Sequence, residues 1–255
     1  MTDCPTDVLE RQRETWRRKP VLRAVYDDFY DRIASWIVPG PTLEIGGGIG
    51  NLKQRLQAAA PGASVISSDI QFGAWLDCIA DAQALPFRGD SVANIVMVDV
   101  CHHLQFPIKF FRDAERVLSP GGRIVMVEPA ITWGSTLFYR LLHHEPVCRS
   151  ADPLADGARD PVRDPYAANQ AIPTLIATRE AARFHAALPD LRIKRVDWFS
   201  LAVYPLSGGF KQWSLIPAAI VERALRLERS LETVLGPALG FRMMAVIEKT
   251  IRSGT

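Results

Sequence analysis

The sequence predicts an α/β protein built on a doubly wound, mainly parallel sheet of seven strands. Three observations predict it. Strand-like apolar runs alternate with stretches of helical periodicity from residue 42 onward. The first strand runs into a glycine turn, Leu43-Glu44-Ile45-Gly46-Gly47-Gly48-Ile49-Gly50, and a helix-forming run follows at once. The segment Val92 to Val98 is almost wholly apolar, as a central strand covered on both faces must be.

The elements follow in order. Residues 6 to 37 read as two helices parted near Pro20, with Leu22, Val25, Tyr26, Phe29, Ile33 and Ile37 recurring every three or four positions. That stripe reads as a packing face in the first place, with Tyr26 and Tyr30 as secondary candidates to face a site. Strand one is Thr42 to Ile45. The helix Ile49 to Ala59 follows and is stopped by Pro61-Gly62. Ser64 to Ser68 is strand two, and a short strand three lies near Cys78 to Ala80. After strand four, Phe106 to Leu118 is an amphipathic helix with Phe110, Ala114, Val117 and Leu118 on one side. Pro120-Gly121-Gly122 turns into strand five, Arg123 to Glu128.

Beyond Glu128 the pattern loosens. Trp133 to His144 reads as helix. Glu145 to Thr174 carries five prolines and no periodicity, which marks a functional loop or a disordered segment. Thr178 to Leu188 is expected as a helix capped by Thr178 with Glu180 in its first turn. Leu191 to Leu201 is expected as strand six, Tyr204 to Lys211 as a turn and Phe241 to Thr250 as strand seven. Between them, Leu215 to Leu235 reads as a long helix. Its apolar side carries Leu215, Ile216, Ala219, Ile220 and Leu227, and its wet side Glu222, Arg223, Arg226, Glu228 and Arg229.

Composition bounds the function. The chain has 255 residues, of which 48% are apolar, so one α/β domain with decorations can bury a sizeable core. The 30 basic and 28 acidic residues leave a net charge of +2, which gives no electrostatic case for nucleic acid. The 4 cysteines form no CxxC pair, so no zinc site is signalled and no metal is expected. Free thiols, a charged N-terminus without an apolar signal core and the lack of a long apolar run lead to an expected cytoplasmic location. The mixed Glu and Arg side of the long helix argues against a membrane or lipid-linked partner.

Several segments act together. Val65-Ile66-Ser67-Ser68-Asp69 ends a strand on an acid, 25 residues after Glu44. Asp81-Ala82-Gln83-Ala84-Leu85-Pro86-Phe87 follows strand three. Strand four leads through Asp99-Val100-Cys101-His102-His103 to Arg116-Val117-Leu118-Ser119-Pro120-Gly121-Gly122 and on to Val127-Glu128-Pro129. In this order and spacing, over roughly residues 40 to 130, the chain resembles the class I S-adenosylmethionine (SAM)-dependent methyltransferases, their small-molecule branch in particular.

The resemblance implies a Rossmann-like methyltransferase fold over residues 1–255. An N-terminal helical cap would span 1–38, and a substrate lid, inserted after strand five, would span 134–175. It implies SAM as cofactor, bound by Glu44, Gly46, Gly47, Gly48, Gly50, Asp69, Ile70, Asp81, Ala82, Asp99 and Val100. Asp69 offers two oxygens to a ribose diol, Asp81 and Ala82 lie toward the adenine, and Asp99 and Val100 lie under the sulfonium. The partner is a small or medium organic acceptor. If that acceptor is a hydroxyl, a proton acceptor is needed, and His102, His143, His144 and Glu145 are the candidates. Two rivals stand beside this reading. One is a methyltransferase-like domain that binds without turnover. The other is a nicotinamide-dependent oxidoreductase, whose GxGxxG pattern fails here because Asn51 or Lys53 stands where a small residue is required.

Overall fold

In a computed structural model, residues 5–60, 62–142 and 146–251 are described. Helices α1 (Pro5–Arg18) and α2 (Pro20–Ala34) precede β1 (Thr42–Ile45), α3 (Asn51–Ala59), β2 (Val65–Asp69), β3 (Cys78–Ile79) and β4 (Val92–Val98). A single 3₁₀ turn, Cys101–His103, leads to α4 (Pro107–Val117) and β5 (Leu118–Pro129). Then come α5 (Trp133–Leu142), α6 (Ile172–Ala177), α7 (Ala181–Ala187), β6 (Leu191–Phe199), α8 (Val203–Ser207), α9 (Ala218–Leu239) and β7 (Arg242–Lys249).

The seven strands form one sheet in the order β3-β2-β1-β4-β5-β7-β6. β1 pairs in parallel with β2 and β4, and β4 with β5, while β7 runs antiparallel between β5 and β6. The chain reverses direction across the sheet between β1 and β4, which puts a ligand crevice at the carboxyl ends of these two strands.

Two apolar layers cover the sheet. On one face, Phe110, Phe111, Ala114 and Val117 of α4 pack with Ile172 and Ile176 of α6 and Phe184 of α7. On the other, Leu22, Val25, Phe29 and Ile33 of α2 pack with Leu52 and Leu56 of α3. Ile95, Val96 and Met97 of β4 are completely buried between them. Each such side chain contributes about 1.5–3 kcal/mol relative to exposure, so the central strand anchors both layers.

Several elements depart from the sequence expectation. The Pro120-Gly121-Gly122 turn is absorbed into β5, where the register jumps from Val92↔Leu118 to Asn94↔Arg123. The stretch expected to be irregular ends in helix α6, seated on the core by Ile172 and Ile176. Thr178 does not cap α7. Glu180 occupies that position, and the Thr178 hydroxyl donates to the carbonyl of Thr174 at 2.6 Å. The segment expected as a turn from Tyr204 contains the short helix α8.

The long helix α9 is rotated from its expected phase. Ile220 and Leu227, expected on the packed side, are exposed, and Val221 is buried instead. Glu228, expected in water, is buried and accepts the backbone N–H of Val203 at 2.7 Å and that of Ala202. Polar partners set this phase. Arg229 donates to Asp28 of α2 at 2.5 Å, and Arg32 of α2 donates to Glu232 at 3.0 Å. Part-buried, mutually paired charges dock the helix more specifically than an apolar stripe does.

Lys19, between α1 and α2, is also buried. Its ammonium donates to the carbonyls of Gly209, Lys211 and Trp213 at 2.7, 2.7 and 2.8 Å. All three donor hydrogens are thereby used, and the N-terminal helices are tied to the loop after α8. Lys19→Met removes these charge-assisted bonds and leaves three carbonyls to find water. A loss of about 2 kcal/mol is expected, read as a lowered urea midpoint at unchanged slope.

Candidate active site

The glycine turn and the carboxyl ends of β1, β2 and β4 open on one cavity of about 1050 Å³. Single-ligand pockets run from about 300 to 1,000 Å³, so this one has room for two ligands side by side. The turn is shaped by contacts that leave no space for side chains. Gly46 has φ +68°, and a Cβ there would lie 2.2 Å from Cγ2 of Val100. Gly50 has φ +81°, and a Cβ would lie 2.7 Å from the Trp75 ring. The Trp75 indole N–H donates to the Gly48 carbonyl at 2.7 Å and fixes the turn from outside.

Of the expected cofactor residues, Glu44, Gly46, Gly47, Gly48, Asp69, Ile70, Asp81, Ala82, Asp99 and Val100 all line the cavity. Gly50 stands behind the turn as the left-handed residue that starts α3. Tyr26 and Tyr30 serve both their expected roles, since they pack in the core and also line the cavity. His102 lines the cavity, whereas His143, His144 and Glu145 lie outside the described residues.

Asp69, ending β2, accepts the N–H of Gly48 on one oxygen and that of Gln71 on the other, both at 2.9 Å. A carboxylate has about four acceptor positions, and with the backbone N–H of Ile70 also directed at it, Asp69 keeps acceptor capacity for one ligand hydrogen bond. Burial raises its carboxyl above the ordinary value, against the backbone donors. Asp81 accepts the N–H of Gln83 at 2.7 Å and is ion-paired with Arg159 from the long segment after α5. That segment also brings Arg163, Tyr166 and Gln170 to the cavity wall.

Two residues not singled out from the sequence organise the end of β4. Asp99 has φ +58° and forms a two-point ion pair with the guanidinium of Arg242, at the start of β7. Burial works to raise the Asp99 carboxyl, but Arg242 overrides it and holds it below the usual carboxylate range. The Tyr26 hydroxyl adds a third contact to Asp99 at 3.3 Å. Glu128, fully buried in β5, accepts the N–H groups of Val100 and Cys101 at 2.9 and 2.7 Å on one oxygen. Its other oxygen lies 2.7 Å from Nδ1 of His102. Glu128 left one trace in the sequence, an acid closing an otherwise apolar strand; Arg242 left none.

One donor atom from each of Asp99, His102 and Glu128 lies within 4.8 Å of the other two. The Arg242 guanidinium and two backbone N–H groups already occupy these carboxylates, so the group is a hydrogen-bond network around a cation supplied by the chain.

The family model described as a methyltransferase domain matches residues 43–126, the span from β1 into β5 that builds this cavity. Over that span the chain is similar to that domain. The match supports methyl transfer as the activity. A SAM-dependent methyltransferase from Archaeoglobus fulgidus is similar in fold, with 16% identity over 89% of this chain and 94% of that one and a TM-score of 0.51. The cyclase SpnF is similar at 14% identity over 88% of this chain and 81% of its own, with a TM-score of 0.50. At these identities the likeness is one of fold. Among curated proteins nothing matches the sequence.

Glu44, near the end of β1, is buried at 3% exposure, and burial pushes its carboxyl up to about 7. A folded-state value above the unfolded one means that the native state holds the proton more tightly. The protonated form folds without penalty at low pH. Stability then falls as pH rises from about 4.5 to about 7, by on the order of 3 kcal/mol. Glu44→Gln removes this dependence. Denaturant titrations from pH 4.5 to 7.5 should show the variant gaining on the parent protein as pH rises; parallel curves would contradict it.

Proposed function

We propose that the protein transfers the methyl group of SAM to a small or medium organic acceptor. The observation that carries this reading is convergence: the crowded glycine turn, the Asp69 carboxylate and the end of β4 face one cavity that continues past them into an aromatic chamber.

The residues suit the cofactor. Glu44 Oε2 is buried without a hydrogen-bond partner within geometric reach and faces the turn, where a cationic amino group would satisfy it. Asp69 keeps acceptor capacity for a ribose hydroxyl, and Ile70, half exposed beside it, offers apolar surface to a flat ring. Asp81 and Ala82 form the wall next to these groups, and Asp99 and Val100 form the floor. When bound, SAM supplies a methyl group already activated on a sulfonium. The chain's tasks are therefore alignment and exclusion of water. Leu9 and Gln12 of α1 and Phe210 and Trp213 after α8 also line the cavity.

Calorimetric titration with S-adenosylhomocysteine, with NAD in parallel, tests the cofactor. Micromolar binding of the first alone is expected, and binding of NAD alone would overturn the proposal. In the same titration Asp69→Ala should lose at least tenfold in affinity, since each lost hydrogen bond to a charged group is worth about 1.5–3 kcal/mol. Unchanged affinity in the folded variant would remove Asp69 from the site.

A further inference from the structure

We propose that the outer face of α9 docks on an anionic membrane surface, with the aromatic end of the cavity beside the contact.

The face exists because of the way α9 is held. Ile220, Leu227, Leu231 and Val234 recur at spacings of seven, four and three, so they form one stripe along the helix. In the structure all four are exposed, Leu227 at 63% and Val234 at 79%. The apolar contacts of the helix are made instead by Val221, Ala224 and Leu225. Its orientation is fixed by the pairs Arg229–Asp28 and Arg32–Glu232 and by the bonds of Glu228 to the start of α8. Turning the stripe inward would break all of these, so it stays outward.

Exposed tryptophans extend the stripe at both ends. Trp213 and Leu215 are exposed just before α9 begins. At the other end α5 meets α9, where a Cβ on Gly134 would lie 3.0 Å from Cδ2 of Leu239, and Trp133 and Leu137 of α5 are exposed. A helix of 22 residues spans about 33 Å, and an apolar face of that length marks an interaction surface. The same two ends border the cavity. Phe138, next to Leu137, lines it, as do Phe210 and Trp213, so Trp213 belongs to both surfaces.

The charges select the partner. The sequence suggests an even mixture on the wet side of α9, in Glu222, Arg223, Arg226, Glu228 and Arg229. In the structure Glu228 is buried and Arg229 is paired with Asp28. Glu222, Arg223 and Arg226 remain exposed, and among the described residues neither of these arginines has an ion pair. Lys211, close to Trp213 in the chain, adds another exposed cation. Cations therefore outnumber acids along this face. Anionic headgroups complement that rim, while the aliphatic stripe enters the headgroup boundary with tryptophans at its ends. A second copy of the chain fits less well, because a two-fold interface sets a patch against itself and would bring cations to cations. Among the described residues no helix is long and apolar enough to cross a membrane, and α9 is placed to lie along the surface.

The test is co-sedimentation of the full chain with vesicles of phosphatidylcholine and phosphatidylglycerol in equal parts, against vesicles of phosphatidylcholine alone. Saturable binding to the mixed vesicles is expected, stronger than to phosphatidylcholine by about fivefold or more and weakened by added salt. Leu227→Glu with Leu231→Glu and, separately, Arg223→Ser with Arg226→Ser should each lose about fivefold or more. All four positions are exposed, so both variants should keep the circular dichroism spectrum of the parent protein. With brominated acyl chains in the mixed vesicles, tryptophan fluorescence should be quenched, and less so in Trp133→Phe and in Trp213→Phe. No binding to the mixed vesicles, equal binding to both vesicle types, unchanged binding in either double variant, or quenching unaffected by both tryptophan changes overturns the proposal. So does a dimer in sedimentation equilibrium that the leucine variant dissociates, which gives the face to a second copy. None of these readouts involves the cofactor, so failure of S-adenosylhomocysteine to bind would count against methyl transfer and not against docking.

Discussion

The ion pair between Asp99 and Arg242 is the constraint on which the geometry of the cavity floor depends. Arg242 is 3% exposed and Asp99 stands at the mouth of β4 with a left-handed backbone. Both charges are largely withdrawn from water, a cost that only close, two-point contact offsets. The guanidinium lies over the Tyr204 ring and near Phe29, so the α2 and α8 layers press the pair into place. Because Arg242 begins β7, the antiparallel edge of the sheet is fastened to the end of a central parallel strand. The next residues, Val100 to His103, inherit their position from that fastening and from Glu128.

Glu128 extends the same logic one strand further. It replaces the hydrogen bonds that Val100 and Cys101 would otherwise seek from water, and it sets the imidazole of His102. Within this buried network Asp99, Glu128 and His102 each have partners and the Asp99 backbone is held from both sides, while Nε of Arg242 is buried with no hydrogen-bond partner among the described residues. The cavity therefore has a stiff floor, while the segment from Arg159 to Tyr166 forms a wall held mainly by ion pairs and loop hydrogen bonds.

Much of this was legible in the sequence, and the limits have physical causes. The strand order's parallel half, the glycine turn and Asp69 declare themselves locally: alternation, glycines and a terminal acid need no distant partner to be read. Arg242 is different, because its significance lies in a residue 143 positions away. The phase of α9 likewise depends on distant partners. Its apolar residues suggested one packed face, but the pairs Arg229–Asp28 and Arg32–Glu232 fix another. Helix α6 escaped notice because six residues opening with Ile172-Pro173 carry too little periodicity to stand out. The Glu44 position was legible, though its raised proton affinity depends on how completely the turn buries it.

The bonds of Lys19 bear on how this chain could be recombined with others. One ammonium reads the carbonyls of three loop residues about 190 positions later, so the first helices and the loop after α8 are a matched set. A chimera that takes residues 1–40 from a relative, with the remainder unchanged, would bring a foreign side chain beneath that loop and misplace Phe210 and Trp213. The exchangeable unit is therefore discontinuous in sequence: the helical cap and residues 203–213 must be transplanted together, even though the glycine turn between them stays where it is.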